Sequence, residues 1–193
     1  MSVTFSDGRQ MITIVEPYNV AEHRHHLDQM FRQRARVFRD QLGWDVTVNQ
    51  DLERDKFDDM SPVYIIDVTG DEVCGSLRLL PTTGPTLSEE MFTRSVVNAP
   101  TIWELSRLCM QSVQIAINLL TAVAELSVQR GIETIIANTQ RDVMNLVKSI
   151  GFDVKVLDYT DMFGERVFLC SAPMDKETIE RIKSRRKIKS RCL

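Results

Sequence analysis

The 193-residue sequence contains no G-x-G-x-x-G, no Walker loop, no H-E-x-x-H and no G-x-S-x-G. Dinucleotide enzymes, P-loop ATPases, zinc proteases and α/β-hydrolases thereby lose the signatures their chemistry demands. Cysteine is sparse and unpaired: Cys74, Cys109, Cys170 and Cys192 lie far apart with no C-x-x-C. They read as reduced thiols of a cytoplasmic protein, not as a disulfide frame or a zinc site. His23, His25 and His26 crowd together without matching carboxylate or thiol ligands, so solvated helix histidines are expected and a metal is not. No apolar run approaches the roughly 20 residues of a membrane helix. The opening M-S-V-T-F-S-D-G-R-Q has no basic region followed by an apolar core, so no secretory signal is expected. Internal repeats and low-complexity tracts are also lacking.

What remains is an ordinary globular composition, 43% hydrophobic and 26% charged, in a length that suits one domain over 1–193. The net charge of −3 is unevenly spread: 175–193 carries eight Lys/Arg against three Asp/Glu, a local +5, which leaves −8 on the rest. No aromatic residue interleaves that basic tail, so nucleic acid is not expected. A solvated terminal helix is the default, and an acidic protein partner is the alternative.

Along the chain, M-I-T-I-V at 11–15 predicts a strand, and Asn19 a cap for a helix running to about Phe38. Val63–Val68 and Val73–Leu80 around Thr69-Gly70-Asp71-Glu72 predict a hairpin. Pro81 to Pro100 reads as loop around a short L-S-E-E-M-F segment, and so much irregular chain is more often functional than idle. Thr101–Gln111 has strand composition, and Ser112–Arg130 is an apolar helix stopped by Gly131. Ile132–Ala137 predicts a buried strand, and Thr139 a cap for a helix ending at Gly151. Asp153–Leu157 and Arg166–Ala172 are the last strands, joined by D-Y-T-D-M-F-G-E, before a basic helix from Asp175. Interleaved strands and helices with an early hairpin predict an α/β domain whose mixed sheet is covered on both faces.

Several charges stand where apolar residues are expected. Arg34 lies on the helical stripe of Leu27, Met30, Phe31 and Phe38, and a guanidinium cannot be buried cheaply without an anion. Asp55 and Asp58 flank Phe57 in the acidic segment that follows Trp44. Arg78 sits between apolar neighbours in the second hairpin strand, with Cys74, Ser76 and Leu80 on its face. Glu104 and Arg107 share the apolar run 101–111, where ideal alternation puts them on opposite faces. Either they serve different environments, or a bulge re-aims one of them. A salt-bridged amphipathic helix with an acidic loop is the plainer reading of Arg34 to Asp58. Taken together, arginines facing carboxylates suit a zwitterionic amino-acid ligand.

The ordered set Arg34-x3-Phe38-x5-Trp44-x10-Asp55-x2-Asp58, then Arg78, Phe92, Glu104 and Arg107, resembles the acyl-homoserine-lactone synthases, the LuxI-type autoinducer synthases of bacteria. R-V-F-R-D-Q-L-G-W, G-S-L-R-L-L-P-T-T-G-P and W-E-L-S-R-L-C carry the same likeness, which covers roughly residues 10 to 172. The resemblance implies a three-layer α/β/α sandwich with a mixed central sheet, similar to GCN5-related N-acetyltransferases. It implies a cytoplasmic quorum-sensing enzyme that uses S-adenosylmethionine as a substrate, not a cofactor, and an acyl thioester on acyl carrier protein or CoA. The amine attacks the thioester; the methionine carboxylate then displaces methylthioadenosine and closes the lactone. Glu104, Asp55 and Arg107 are the implied catalytic residues. Arg34, Phe38, Trp44, Asp58, Arg78, Phe92 and Ala137 are the implied substrate-binding ones.

An amine nucleophile and a sulfonium leaving group require neither a Ser or Cys nucleophile nor a metal. The apolar helix and the strand after it are candidate walls of an acyl tunnel, though core packing explains most of their residues. Ala137 falls where family members making 3-oxo products often carry threonine, with Thr134 and Thr139 close by. Two rivals stay open. An acetyl-CoA-dependent N-acetyltransferase would need a glycine-rich pyrophosphate turn, and the matching junction C-M-Q-S-V-Q-I-A has none. A non-catalytic sensor would bind S-adenosylmethionine without turning it over.

Overall fold

The computed structural model describes residues 2–4, 10–92, 98–162 and 164–189, with 2–4 and 186–189 in backbone only. In chain order the elements are β1 (Ser2–Thr4), β2 (Gln10–Val15), α1 (Arg24–Arg34), β3 (Val48–Asn49), β4 (Leu52–Glu53), β5 (Val63–Thr69), β6 (Glu72–Pro81), α2 (Leu87–Met91), β7 (Ile102–Met110), α3 (Val113–Arg130), β8 (Thr134–Gln140), α4 (Arg141–Ile150), β9 (Lys155–Met162), β10 (Glu165–Pro173) and α5 (Lys176–Lys189). The chain divides into two compact units, Met1–Leu80 with Ser106–Ala122, and Pro81–Leu105 with Val123–Leu193.

In the first unit β1, β2, β5 and β6 pair antiparallel in that order. The predicted hairpin is present, with its turn at Gly70, φ +62°, where glycine adopts a left-handed backbone without steric cost. One sheet face carries Val15, Tyr64, Ile66, Val68 and Val73, against which α1 packs Leu27, Met30 and Phe31. Each such side chain contributes about 1.5–3 kcal/mol by leaving water. The other face meets α3. A Cβ at Gly75 would collide with Ile115 and stand 2.8 Å from the Cys109 carbonyl, so only glycine lets the helix this close.

Helical winding starts after Asn19, as the sequence predicts, and ends a few residues later than Phe38. A 3₁₀ turn, Val20–His23, leads into α1, and a π-helical stretch, Ala35–Gln41, follows it. Gly43 (φ +65°) and a 2.8 Å bond from Trp44 N to Phe38 O then close the segment. Asn19 is not a side-chain cap. Its Oδ1 accepts from Glu16 N at 2.7 Å and its Nδ2 donates to Ile14 O at 3.2 Å, so the turn after β2 takes both ends of the amide.

In the second unit the first half of β7 runs parallel to β8, with Glu104 opposite Ile136 and Leu105 opposite Ala137. Strand β8 pairs antiparallel with β10, and β10 with β9, so parallel and antiparallel pairing coexist as predicted. The predicted strand 132–137 lies instead at Thr134–Gln140. Thr139 is therefore paired with Phe168 and does not cap α4, because sheet pairing outweighs a local capping preference. The connector D-Y-T-D-M is strand as well, since it pairs along β10. Gly151 ends α4 with φ +132°, and a Cβ there would stand 3.1 Å from Ile182 N. Asp175 accepts from Thr178 N at 2.7 Å and starts α5.

Cys74, Cys109 and Cys170 are free thiols, and Cys192 lies outside the described residues. Among the described residues, no helix is long and apolar enough to cross a membrane, and no group of three or more His, Cys, Asp or Glu is placed to hold a metal ion.

Candidate active site

Five separate elements deliver charged groups to one place in the first unit. The end of α1 supplies Arg34, β4 supplies Glu53, β6 supplies Arg78 and the far half of β7 supplies Arg107. Asp55 and Asp58 come from a 3₁₀ turn, Lys56–Asp59, that Asp55 caps. The cap is reciprocal: Phe57 N donates to Asp55 Oδ1 at 2.9 Å, and Asp55 N to Asp58 Oδ2 at 2.9 Å. Capping thus fixes the two carboxylates relative to one another.

The six groups close into a ring of alternating charge. Arg34 donates from Nε to Glu53 (2.5 Å) and, through both terminal nitrogens, to Asp58 (2.8 and 2.9 Å). Arg78 grips Asp55 with two bonds (2.5 and 3.0 Å) and reaches Asp58 at 2.9 Å. Arg107 completes the circuit, 3.0 Å from Glu53 and 2.9 Å from Asp55. Every guanidinium touches two carboxylates and every carboxylate two guanidinia, so the ring is neutral. That neutrality is what makes it tolerable in the interior, where Glu53 and Arg78 are both 0% exposed. Tyr64 OH donates to Asp58 at 2.8 Å, and Arg78 Nε to Ser106 Oγ at 3.1 Å.

Titration follows from this packing. Burial works to raise Asp58, but the bonds and charge of Arg34 and the charge of Arg78 outweigh it and hold the carboxyl well below the usual range. Burial likewise works to lower Arg34, yet its bonds to Asp58 and the charges of Asp58 and Glu53 leave it raised. Tyr64 is pushed up by burial and by the Asp58 charge. Burial takes the Cys109 thiol up to about 12, so it is no nucleophile.

Aromatic rings flank the charges. Phe38 and Trp44 stack at 5.2 Å, and the Arg107 guanidinium lies 5.1 Å from the Phe38 centroid. Phe38 is buried and Trp44 half-buried. Arg107 reaches this place with φ +56°, a left-handed backbone rare for a side chain of this size. The question that alternation left open is thereby answered: pairing with β8 ends at Leu105, and the twist at Arg107 re-aims it.

In the second unit, buried Glu104 accepts from Leu87 N (3.2 Å), Ser88 N (2.7 Å) and Ser88 Oγ (2.5 Å). Phe92 packs with Ile136 and Leu169 on the same side of the strands. Ala137, one residue on from Ile136 and opposite Cys170, belongs to the other face.

The predicted residues thus fall into clusters: Arg34, Asp55, Asp58, Arg78 and Arg107 in the ring, Phe38 and Trp44 beside it, and Glu104 near Phe92. Sequence reasoning missed Glu53, although Asp51, Glu53 and Asp55 alternate in the acidic segment. It also missed Ser88, although T-L-S-E carries the capping-box pattern of a helix start.

The autoinducer synthase family is matched over residues 18–182. An acyl-homoserine-lactone synthase of Rhizobium etli is 36% identical over 157 residues, 74% of this chain and 74% of that protein. The solved AHL synthase LasI matches with a TM-score of 0.81 and 26% identity, covering 90% of this chain and 94% of its own. BjaI, a CoA-dependent acyl-homoserine lactone synthase solved with SAM and isopentyl-CoA, gives 0.84 and 25%, covering 91% and 89%. A Lactobacillus plantarum protein described as an N-acetyltransferase, 17% identical with a TM-score of 0.57, shares the fold. This chain belongs to the autoinducer synthase family, the acyl-homoserine-lactone synthases.

Proposed function

We propose that this chain joins S-adenosylmethionine to the acyl group of a thioester, on acyl carrier protein or CoA, and releases an N-acyl-L-homoserine lactone. The α-amine attacks the thioester carbonyl, an amide bond forms, and the thiol leaves. The methionine carboxylate then attacks its own γ-carbon and displaces methylthioadenosine. The closed ring of Arg34, Glu53, Arg107, Asp55, Arg78 and Asp58 carries this reading. A neutral ring of fixed charges is a preorganised field for a substrate that is itself a zwitterion with a sulfonium. The Phe38–Trp44 stack supplies π faces for that cation or for adenine.

Proton transfer falls to Glu104, directly or through water. Asp55 is poorly suited because it is ion-paired with both Arg78 and Arg107, whereas Leu87 and Ser88 offer Glu104 neutral donors; its role is to hold the arginines. Ala137, on the opposite face of β8 from Phe92, is assigned to the acyl chain, and Phe92 to the side that carries Glu104. The family match runs through both compact units, which supports one functional domain over 1–193. The setting is cytoplasmic, and no cofactor beyond the two substrates is required.

The test is mass spectrometry of lipophilic products from cells expressing the chain. Acyl-homoserine lactones absent from control cells are expected. Their absence with soluble protein and both substrates present would overturn the proposal.

A further inference from the structure

One short element gives Glu104 three hydrogen bonds. The amides of Leu87 and Ser88 belong to the first turn of α2, where backbone N–H groups have no partner within the helix. A capping box between Thr86 and Glu89 fixes that turn, and Met91 and Phe92 anchor it against Ile102, Ile136 and Leu169. Ser88, 0% exposed, adds its hydroxyl at 2.5 Å. The same oxygen lies 3.1 Å from Asn138 Oδ1, while Asn138 Nδ2 lies 3.3 Å from Met91 Sδ.

A hydroxyl has one proton. With that proton on Glu104, Asn138 can serve Ser88 only as a donor, through an amide turned end for end. We propose that Ser88 is a positioning residue for Glu104 and is itself oriented by Asn138, in the chain Asn138 Nδ2–H to Ser88 Oγ–H to Glu104 Oε2. The assignment rests on Glu104 as the proton acceptor. Three donors from one turn, one on Oε1 and two on Oε2, fix both the carboxylate position and its plane.

Ser88→Ala should lower kcat about tenfold, as a misaimed catalytic group does, with KM for both substrates within about twofold. Ser88→Thr keeps the hydroxyl and should keep most of kcat. Wild-type kcat in Ser88→Ala, or equal loss in Ser88→Thr, would overturn the proposal. If Ser88→Ala no longer melts cooperatively, Asn138→Ala takes its place: loss in kcat at constant KM supports the chain, and unchanged kcat rejects it. Glu104→Gln separates the two readings. If it is inactive while Ser88→Ala runs at the wild-type rate, only the positioning role falls. If it is active, the proton-acceptor reading falls and takes the positioning role with it.

Discussion

Arg107 Nη2 stands 3.0 Å from Glu53 Oε1, and this contact joins the end of the ion ring on β4 to a strand residue with a left-handed backbone. Without Glu53, Arg34 and Arg107 would each lose one of two anionic partners in a space that excludes water. Glu53→Ala should therefore cost about 3–5 kcal/mol, as removing one member of a buried pair does. Urea unfolding of the variant and wild type measures it. A loss below about 1 kcal/mol, the range of a surface pair, would mean that the ring is not a structural unit.

Arg34 deserves the same expectation from the opposite side of the circuit. Its place on an apolar helical stripe demands an anion, and it holds Asp58 with two bonds and Glu53 with a third. Arg34→Lys keeps the charge but not the planar fork, so it should lose S-adenosylmethionine binding or fold stability. Isothermal titration and a melting curve distinguish these outcomes, and a variant unchanged in both would contradict the geometry.

Asp58 gives the ring a defined response to acid. Its folded carboxyl is held below its ordinary value, so the stabilisation is fully present above the unfolded value of about 3.9. It is lost as pH falls through the depressed folded value. Unfolding free energy should stay level down to about pH 5 from this group and fall below it. Asp58→Asn should be less stable at neutral pH, with a shallower acid fall. An equally steep fall in the variant would assign the acid response to other groups.

The basic tail offers a salt-dependent prediction. Arg181 donates to Gly151 O at 3.0 Å, and Arg185 to the carbonyls of Lys148 and Ser149 at 2.5 and 3.0 Å, so both cover the end of α4. Lys183 is half-exposed, 3.9 Å from Glu125; the side chains of Arg186 and Lys187 lie outside the described residues. If acyl carrier protein is the donor, its acidic surface should be drawn to this helix and KM should rise with salt. A KM flat with ionic strength, and unchanged when 186–193 is removed, would reject the tail as its docking surface.

Ala137 bears on the product. It offers no hydrogen-bond donor, so a 3-oxo group buried beside it would go unpaired at about 1–3 kcal/mol, roughly ten- to a hundredfold in selectivity. Thr139 shares its face of β8, and its hydroxyl lies 3.4 Å from Gln140 O. Competition between matched donors should favour chains unsubstituted at C3. Predominant 3-oxo product would show that Thr139 or another group supplies the donor.

Much of this was legible in the sequence for one physical reason: a charge on an apolar stripe is expensive, so Arg34 and Arg78 announced themselves as paired and inward. Glu53 did not, because an acid among acids carries no such contrast. The sharing of a strand by Glu104 and Arg107 was visible, but their orientation hung on one left-handed residue that no side-chain pattern encodes. Thr139 misled because its capping chemistry is local, whereas its pairing partner, Phe168, lies on a distant strand.

The most direct test of the account is the stoichiometry of a purified reaction. With S-adenosylmethionine and a panel of acyl thioesters, one methylthioadenosine should appear for each acyl-homoserine lactone, and Glu104→Gln should slow both together by about 10²–10⁴. Binding of S-adenosylmethionine without methylthioadenosine release, or acylation of an amine with no lactone formed, would contradict it.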